Sequence, residues 1–329
     1  MKAILCKNYG PAESLVLEDL PTPQPGPKQV LIRVTAAGVN FPDALIIQGL
    51  YQFKPPLPFS PGGELAGGVE AVGENVHHLR AGDHVVAFTG WGAFAEQVVA
   101  DAFKVFPVPA DLDPAIAASF VMTYATAYHA LKDRAQLRPG ERVLVLGAAG
   151  GVGLAAIELA KLMDAEVIAC ASTDEKLALC REVGADQLIN YSSEDLKERI
   201  KQLTDGKGVD VIVDPVGGDY AEQALRSIAW EGRYLVIGFA NGEIPKIPLN
   251  LPLLKGCAIL GVFWGEFAMR QKAINQTNIL ELFGWLREGK LKPHISARLP
   301  LARAAEAIQL LASRQATGKV VVTTDAYPG

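Results

Sequence analysis

The chain has 329 residues, half of them apolar and a fifth charged, with a net charge of -5. That is the balance of a globular protein with a core large enough for two domains or one large one. The acidic balance argues against a nucleic-acid partner, and no apolar run approaches the roughly 18 residues of a membrane helix. Met1–Lys7 holds too short an apolar stretch for a secretory signal, so the expected location is cytoplasmic, with no membrane partner.

Up to about residue 120, short β-branched runs alternate with glycine and proline. Gln29–Val34, Asp83–Phe88 and Ala95–Val99 read as strands, separated by turn signals at Pro25-Gly26-Pro27, Pro61-Gly62-Gly63 and Ala81-Gly82-Asp83. The pattern predicts an antiparallel, barrel-like β region. From Arg142 the character changes to alternating strands and helices. Arg142–Leu146 predicts a strand, and Val152, Ala155, Ala156, Leu159, Ala160 and Met163 then recur at helical spacing. Glu166–Ala171 is the next strand, and Ser172 with Glu175 fits a capping box opening a helix that ends at Gly184. Further strands are predicted at Gln187–Tyr191, Val209–Asp214, Gly232–Gly238 and Ala258–Val262. Six strands with crossover helices imply an α/β, doubly wound parallel sheet of Rossmann type. The tail predicts helices over Gln276–Glu288 and Ala302–Ser313 and a closing strand over Lys319–Thr324.

Between the first strand and helix of that region stands Leu-Gly-Ala-Ala-Gly-Gly-Val-Gly, residues 146–153. Gly147, Gly150 and Gly153 give G-x-x-G-x-x-G in the context of strand, turn and helix start. Absent side chains let the backbone of Ala149, Gly150, Gly151 and Val152 approach a pyrophosphate, and the exposed amides of a helix start favour its charge. NAD binding uses an acid at the tip of the second strand to hold the ribose 2′-hydroxyl. That tip is Ala169-Cys170-Ala171-Ser172, with no carboxylate, and Lys176 is close by. A 2′-phosphate is accommodated, so NADPH is favoured over NADH. Asp174 stands against this, but it falls in a first helical turn, where an acid suits the macrodipole.

Cys6, Cys170, Cys180 and Cys257 are scattered, and the five histidines show no ligand spacing. Metal binding and a disulfide framework are not expected.

The chain resembles the zinc-independent branch of the medium-chain dehydrogenase/reductases, and within it the NADPH:quinone oxidoreductases related to zeta-crystallin. The resemblance runs the whole length, through Gly38-Val39-Asn40-Phe41-Pro42-Asp43, Pro61–Gly67, Ala148–Gly153, Ile189-Asn190-Tyr191 and Asp214-Pro215-Val216-Gly217-Gly218. It departs from the zinc alcohol dehydrogenases, which carry a Cys where this chain has Asn40 and a His where it has Gly63. Glu64 remains, but one carboxylate does not make a zinc site.

The resemblance implies a GroES-like catalytic domain from 1 to 122, rejoined by 264–329, with a Rossmann domain over 123–263 inserted and the nicotinamide in the cleft at their boundary. It implies that Lys176 and Arg314 face the 2′-phosphate and that Tyr191 lies against the adenosine. It also implies that Asn40, Asp43 and Thr126 line the nicotinamide and its ribose, beside Gly238, Phe239, Val262, Phe263 and Trp264. Tyr51 is the candidate acid, with Asp43 behind it, and Leu50–Leu57 is either a pocket wall or an ordinary proline-rich loop. Three activities stay open: hydride transfer to a quinone, reduction of an activated C=C bond in an enone, 2-alkenal or acryloyl thioester, and NADPH binding without turnover. Family members pair through the strand near 258–262, which implies a homodimer.

Overall fold

The computed structural model describes residues Met1 to Pro328. By contact it divides into two units, one of Met1–Met122 with the segment from Pro293 on, the other Thr123–Lys292.

In the second unit, β1 (Arg142–Val145), β2 (Glu166–Ala171), β3 (Gln187–Asn190), β4 (Val209–Asp214), β5 (Ile228–Val236) and β6 (Ala258–Gly261) form one sheet. Its order is β3-β2-β1-β4-β5-β6, all parallel, the doubly wound arrangement. The crossovers include α1 (Gly151–Leu162), α2 (Asp174–Glu182), α3 (Leu196–Leu203) and α4 (Asp219–Arg226). A parallel sheet covered on both faces needs apolar residues at successive positions, and Val143, Leu144, Val145, Val167, Ile168 and Ile212 are all fully buried. Leu144, Ile168, Ile189 and Ile212 pack with Ile200 of α3 and Leu225 of α4 in one cluster.

Two expectations change here. The fifth strand begins at Ile228, ahead of Gly232, because the chain pairs with Val209 of β4 before a register irregularity. Residues 264–292 pack with the second unit, so the chain returns to the first at Pro293 and not at 264. Lys132 reaches Glu281 at 2.7 Å and Asn278 at 3.1 Å, the Tyr128 and Trp285 rings meet edge-on at 5.4 Å, and His129 stacks on Phe267 at 3.9 Å. These contacts join segments well over a hundred residues apart and leave no local pattern.

The first unit is built, among the described residues, on a seven-stranded sheet, with Lys2–Leu5 and Val16–Asp19 forming a separate antiparallel pair. Its central strand, Gln29–Val39, is five residues longer than the apolar run predicted. Glu64–Val72 pairs with it along one side. Gln97–Asp101 pairs with its first half, Gln29–Arg33, and Lys319–Thr323 with its second half, Ala36–Val39. Register shifts against Glu64–Val72 mark the bends that let one strand serve three partners. His84–Phe88 and Val105–Pro107 extend the sheet on one side, and Ile295–Pro300 joins Lys319–Thr323 in parallel on the other. Among the described residues no helix is long and apolar enough to cross a membrane.

Arg233 of β5 ties this second-unit sheet together at its opening edge. Its guanidinium meets the Glu141 carboxylate at 2.6 and 3.0 Å and the carbonyls of Ala135 and Asp210 at 3.0 and 3.3 Å, largely out of water. Arg233→Met leaves Glu141 without its partner and is expected to cost about 2–3 kcal/mol, read as a lower urea midpoint at unchanged slope. Arg233→Lys recovers only part of this, since an ammonium cannot reproduce the forked contact.

Candidate active site

At the end of β1 the chain makes the glycine turn. Gly147 sits at φ +57°, in the left-handed region, and Gly150 is the extended residue that caps α1. A Cβ on Gly153 would stand 2.5 Å from the carbonyl oxygens of both Gly147 and Ala148, so α1 approaches the turn only because that side chain is absent. The turn is pinned by Leu146 N–H on Val213 at 3.0 Å and Ala148 N–H on Cys170 at 2.9 Å, from β4 and β2. The first-turn amides of α1, from Gly151 and Val152, have no acceptor within their own helix. Ala149, within the turn, is buried. This is a cradle for a phosphate group, and it fits a dinucleotide.

Beyond β2, the cap of α2 is Thr173 and not Ser172: its hydroxyl accepts from Lys176 N–H at 3.3 Å. The Ser172 hydroxyl, released from capping, meets the Lys176 ammonium at 3.4 Å. Asp174 is turned the other way, its carboxylate accepting from the Asn190 amide at 2.8 Å. Asn190 ends β3, and β3 lies on the side of β2 opposite β1. The acid is therefore drawn away from the glycine turn, while Ser172 and Lys176 stay together. Tyr191 follows, its ring 4.3 Å from that of Tyr220.

Asp214, quoted above only as part of a motif, has a specific role at the end of β4. One carboxylate oxygen accepts from the N–H groups of Val216 and Gly217, both at 2.8 Å, and the other from the Tyr234 hydroxyl at 2.5 Å. Burial pushes the Asp214 carboxyl up from its ordinary value, and burial with the Asp214 charge keeps the Tyr234 phenol protonated. The loop so held lies against the glycine turn: a Cβ on Gly147 would come within 2.7 Å of Val216. Gly238 donates to the Asp214 carbonyl at 3.3 Å, and the Phe239 ring packs on Gly217. Val262 continues from β6 and donates to Val236 at 2.9 Å. Phe263 is exposed, whereas Trp264 is buried with its indole N–H on Asn275 at 2.9 Å, so that ring serves the core. Thr126 is half-buried in the helix Val121–Tyr128.

In the first unit, the strand Gln29–Val39 delivers Asn40 to the start of the helix Phe41–Ile46. The Asp43 carboxylate accepts from Asn40 N–H at 2.7 Å, and Asp43 N–H donates to the Asn40 carbonyl at 2.9 Å. The Asn40 side chain is used within the protein. Its oxygen accepts from Lys319 Nζ at 2.5 Å, and its nitrogen donates to Glu64 at 3.0 Å and to the Gly38 carbonyl at 3.2 Å. Glu64, set aside above as a remnant carboxylate, is fully buried and accepts from Lys319 at 3.3 Å and from Met122 N–H at 2.8 Å. Lys319 drew no attention in the sequence, where it reads as one more strand residue.

Burial pushes the Asp43 carboxyl up to about 7, with the Glu64 charge adding and the Asn40 N–H and Lys319 ammonium opposing. Tyr51 is half-buried against the same core, its ring edge-on to Phe53 at 6.0 Å, and burial with the Asp43 charge raises its phenol. Arg314 belongs to this unit too, exposed at φ +60° beyond the helix Ala304–Ala312. Among the described residues no group of three or more His, Cys, Asp or Glu is placed to hold a metal ion.

Residues 26–110 match the family model for the alcohol dehydrogenase GroES-like domain, and residues 151–278 the one for zinc-binding dehydrogenase. A quinone oxidoreductase-like protein 2 homolog of Nematostella vectensis is 40% identical, over 98% of this chain and 89% of its own length. The quinone oxidoreductase of Pseudomonas aeruginosa is 37% identical over 98% and 99%. The crystal structure of Escherichia coli quinone oxidoreductase complexed with NADPH superposes with a TM-score of 0.92 at 31% identity, covering 98% of this chain and all of that one.

Gly153→Val is expected to force the glycine turn off its carbonyl contacts and to weaken dinucleotide binding by at least about tenfold. Titration of nicotinamide fluorescence reads this, with circular dichroism confirming that the sheet is intact.

Proposed function

Because the chain belongs to the zinc-independent medium-chain dehydrogenase/reductases of the quinone oxidoreductase family, we propose that it reduces quinones with NADPH. The observation that carries this is the end-to-end likeness to quinone oxidoreductases, joined to a glycine cradle whose neighbouring acid is turned away. In this reading the backbone of Ala149, Gly150, Gly151 and Val152 holds the pyrophosphate. Ser172 and Lys176 take the 2′-phosphate through charge-assisted contacts, and Tyr191 covers the adenosine. Thr126, Gly238, Phe239, Val262, Phe263 and the Trp264 backbone border the nicotinamide.

Bound NADPH supplies a hydride. Converting a quinone to its hydroquinone takes that hydride and one proton, and Tyr51 or water supplies the proton. Tyr51 suits this because its phenol stays protonated at neutral pH and so donates a hydrogen bond to a reducible oxygen. Asp43 is the adjacent group that gains and loses a proton near neutrality. Asn40 holds the turn beneath them, both of its amide hydrogens already used.

We also propose a homodimer through β6. The strand pairs only with β5 among the described residues, and Ile259 on it is exposed, as is Trp230 of β5, whose ring lies against Gly256. Ile259→Lys is expected to give monomers by sedimentation.

Anaerobic initial rates test the activity. NADPH and NADH are compared with 1,4-benzoquinone, 1,2-naphthoquinone, a 2-alkenal and acryloyl-CoA. Quinone turnover with NADPH preferred by about tenfold or more supports the proposal. Faster reduction of the alkenal or thioester makes this a double-bond reductase, and tight binding with no turnover removes the enzyme reading. If protonated Asp43 is used, kcat/KM falls as pH rises through about 7, because the proton held below that point is lost above it. Asp43→Asn abolishes that limb.

A further inference from the structure

Lys319 is 3% exposed and Glu64 fully buried, at the point in the first unit where Asn40 and Glu64 converge. An ammonium has three hydrogens, and this one has three kinds of acceptor: the Asn40 side-chain oxygen at 2.5 Å, the Val39 carbonyl at 3.1 Å and the Glu64 carboxylate at 3.3 Å. The Asn40 amide in turn bonds Gly38 and Glu64. Gly38, Val39 and Asn40 are thus held by one buried network, and the N–H that emerges from it carries the Asp43 carboxylate. A general need for solubility or helix capping does not call for a buried lysine here. The network fixes one N–H and balances one carboxylate.

We propose that Lys319 is a positioning residue for Asp43: it locks the Gly38–Asn40 turn, whose Asn40 N–H holds the Asp43 carboxylate, and it pairs with the buried Glu64. This rests on the reading of Asp43 as part of the proton supply. The charged and titratable groups facing Asp43 are Lys319 and Glu64 from the two neighbouring strands and Tyr51 from the segment after its helix. The helix Ala304–Ala312, which packs on the Asp43 helix, carries Glu306, exposed and paired with Arg303.

The two buried partners act on Asp43 with opposite signs, the ammonium favouring its carboxylate and Glu64 disfavouring it. Lys319→Met is therefore expected to move the Asp43 titration up by about one pH unit and Glu64→Gln to move it down. The Lys319→Met/Glu64→Gln double variant returns it close to the starting value. A purely structural pair would lower stability in either single variant without opposite shifts. The titration is followed by carbon-13 NMR of aspartate-labelled full-length protein, with Asp43→Asn assigning the resonance, alongside the pH dependence of kcat/KM. Should Lys319→Met fail to fold, the same charge is read by adding it to Glu64→Gln, where it must move the titration back up.

Shifts of the same sign, or a midpoint indifferent to Lys319, overturn the inference. An NMR midpoint that moves as expected while the rates ignore it leaves Lys319 as the positioning residue and removes Asp43 from the reaction.

Discussion

Parallel pairing obliges each crossover to leave its sheet from the same edge and return to the opposite one. With six strands in one such sheet, the ends of β1, β2, β4, β5 and β6 gather on a single edge, and so do the turns that follow them. Everything the second unit offers a dinucleotide follows from that arrangement. The glycine turn comes after β1, the Ser172–Lys176 contact after β2, the loop held by Asp214 after β4, and Phe239 and Phe263 after β5 and β6. Each turn is then fastened to a neighbour. The glycine turn is bonded to β2 and β4 and abuts Val216, and Asp214 joins its own loop to the end of β5. The edge works as one surface because its loops brace each other.

The first unit meets a different constraint. Its candidate groups are buried charges, and a charge removed from water has to be answered by partners inside the protein. Asn40 therefore faces inward, bridging Lys319 and Glu64. Asp43, itself buried, is tied to that cluster through the Asn40 N–H, and burial raises both its carboxyl and the half-buried Tyr51 phenol.

What could be read from the sequence was what is local. Apolar runs gave the parallel strands, and Gly147, Gly150 and Gly153 marked a turn whose close approach admits no side chain. A capping box at Ser172 and Glu175 fits the pattern, but β2 runs to Ala171 and the helix begins at Asp174, which makes Thr173 the cap. Asp174 reads as a first-turn acid suited to the macrodipole, and its hydrogen bond to Asn190, sixteen residues on, is a contact that reading does not contain. The most consequential contact was the least legible, since Lys319 and Asn40 are 279 positions apart. No periodicity or spacing rule reaches across that separation. The same holds for the segment 264–292, whose allegiance to the second unit is carried by Lys132, Tyr128 and His129.

That distance also sets an order of assembly. The second unit is one continuous stretch, so its strands and crossovers can complete as they emerge during synthesis. The first unit is interrupted, and its central strand lacks an edge partner over Ala36–Val39 until residues 319–323 are made. Until then Glu64 has no cation, and a buried carboxylate without one resists being covered. The amino-terminal sheet therefore closes last, around a lysine made only after the whole of the second unit. A ribosome stalled short of that lysine would leave the Rossmann unit formed and the acid-bearing turn open to water.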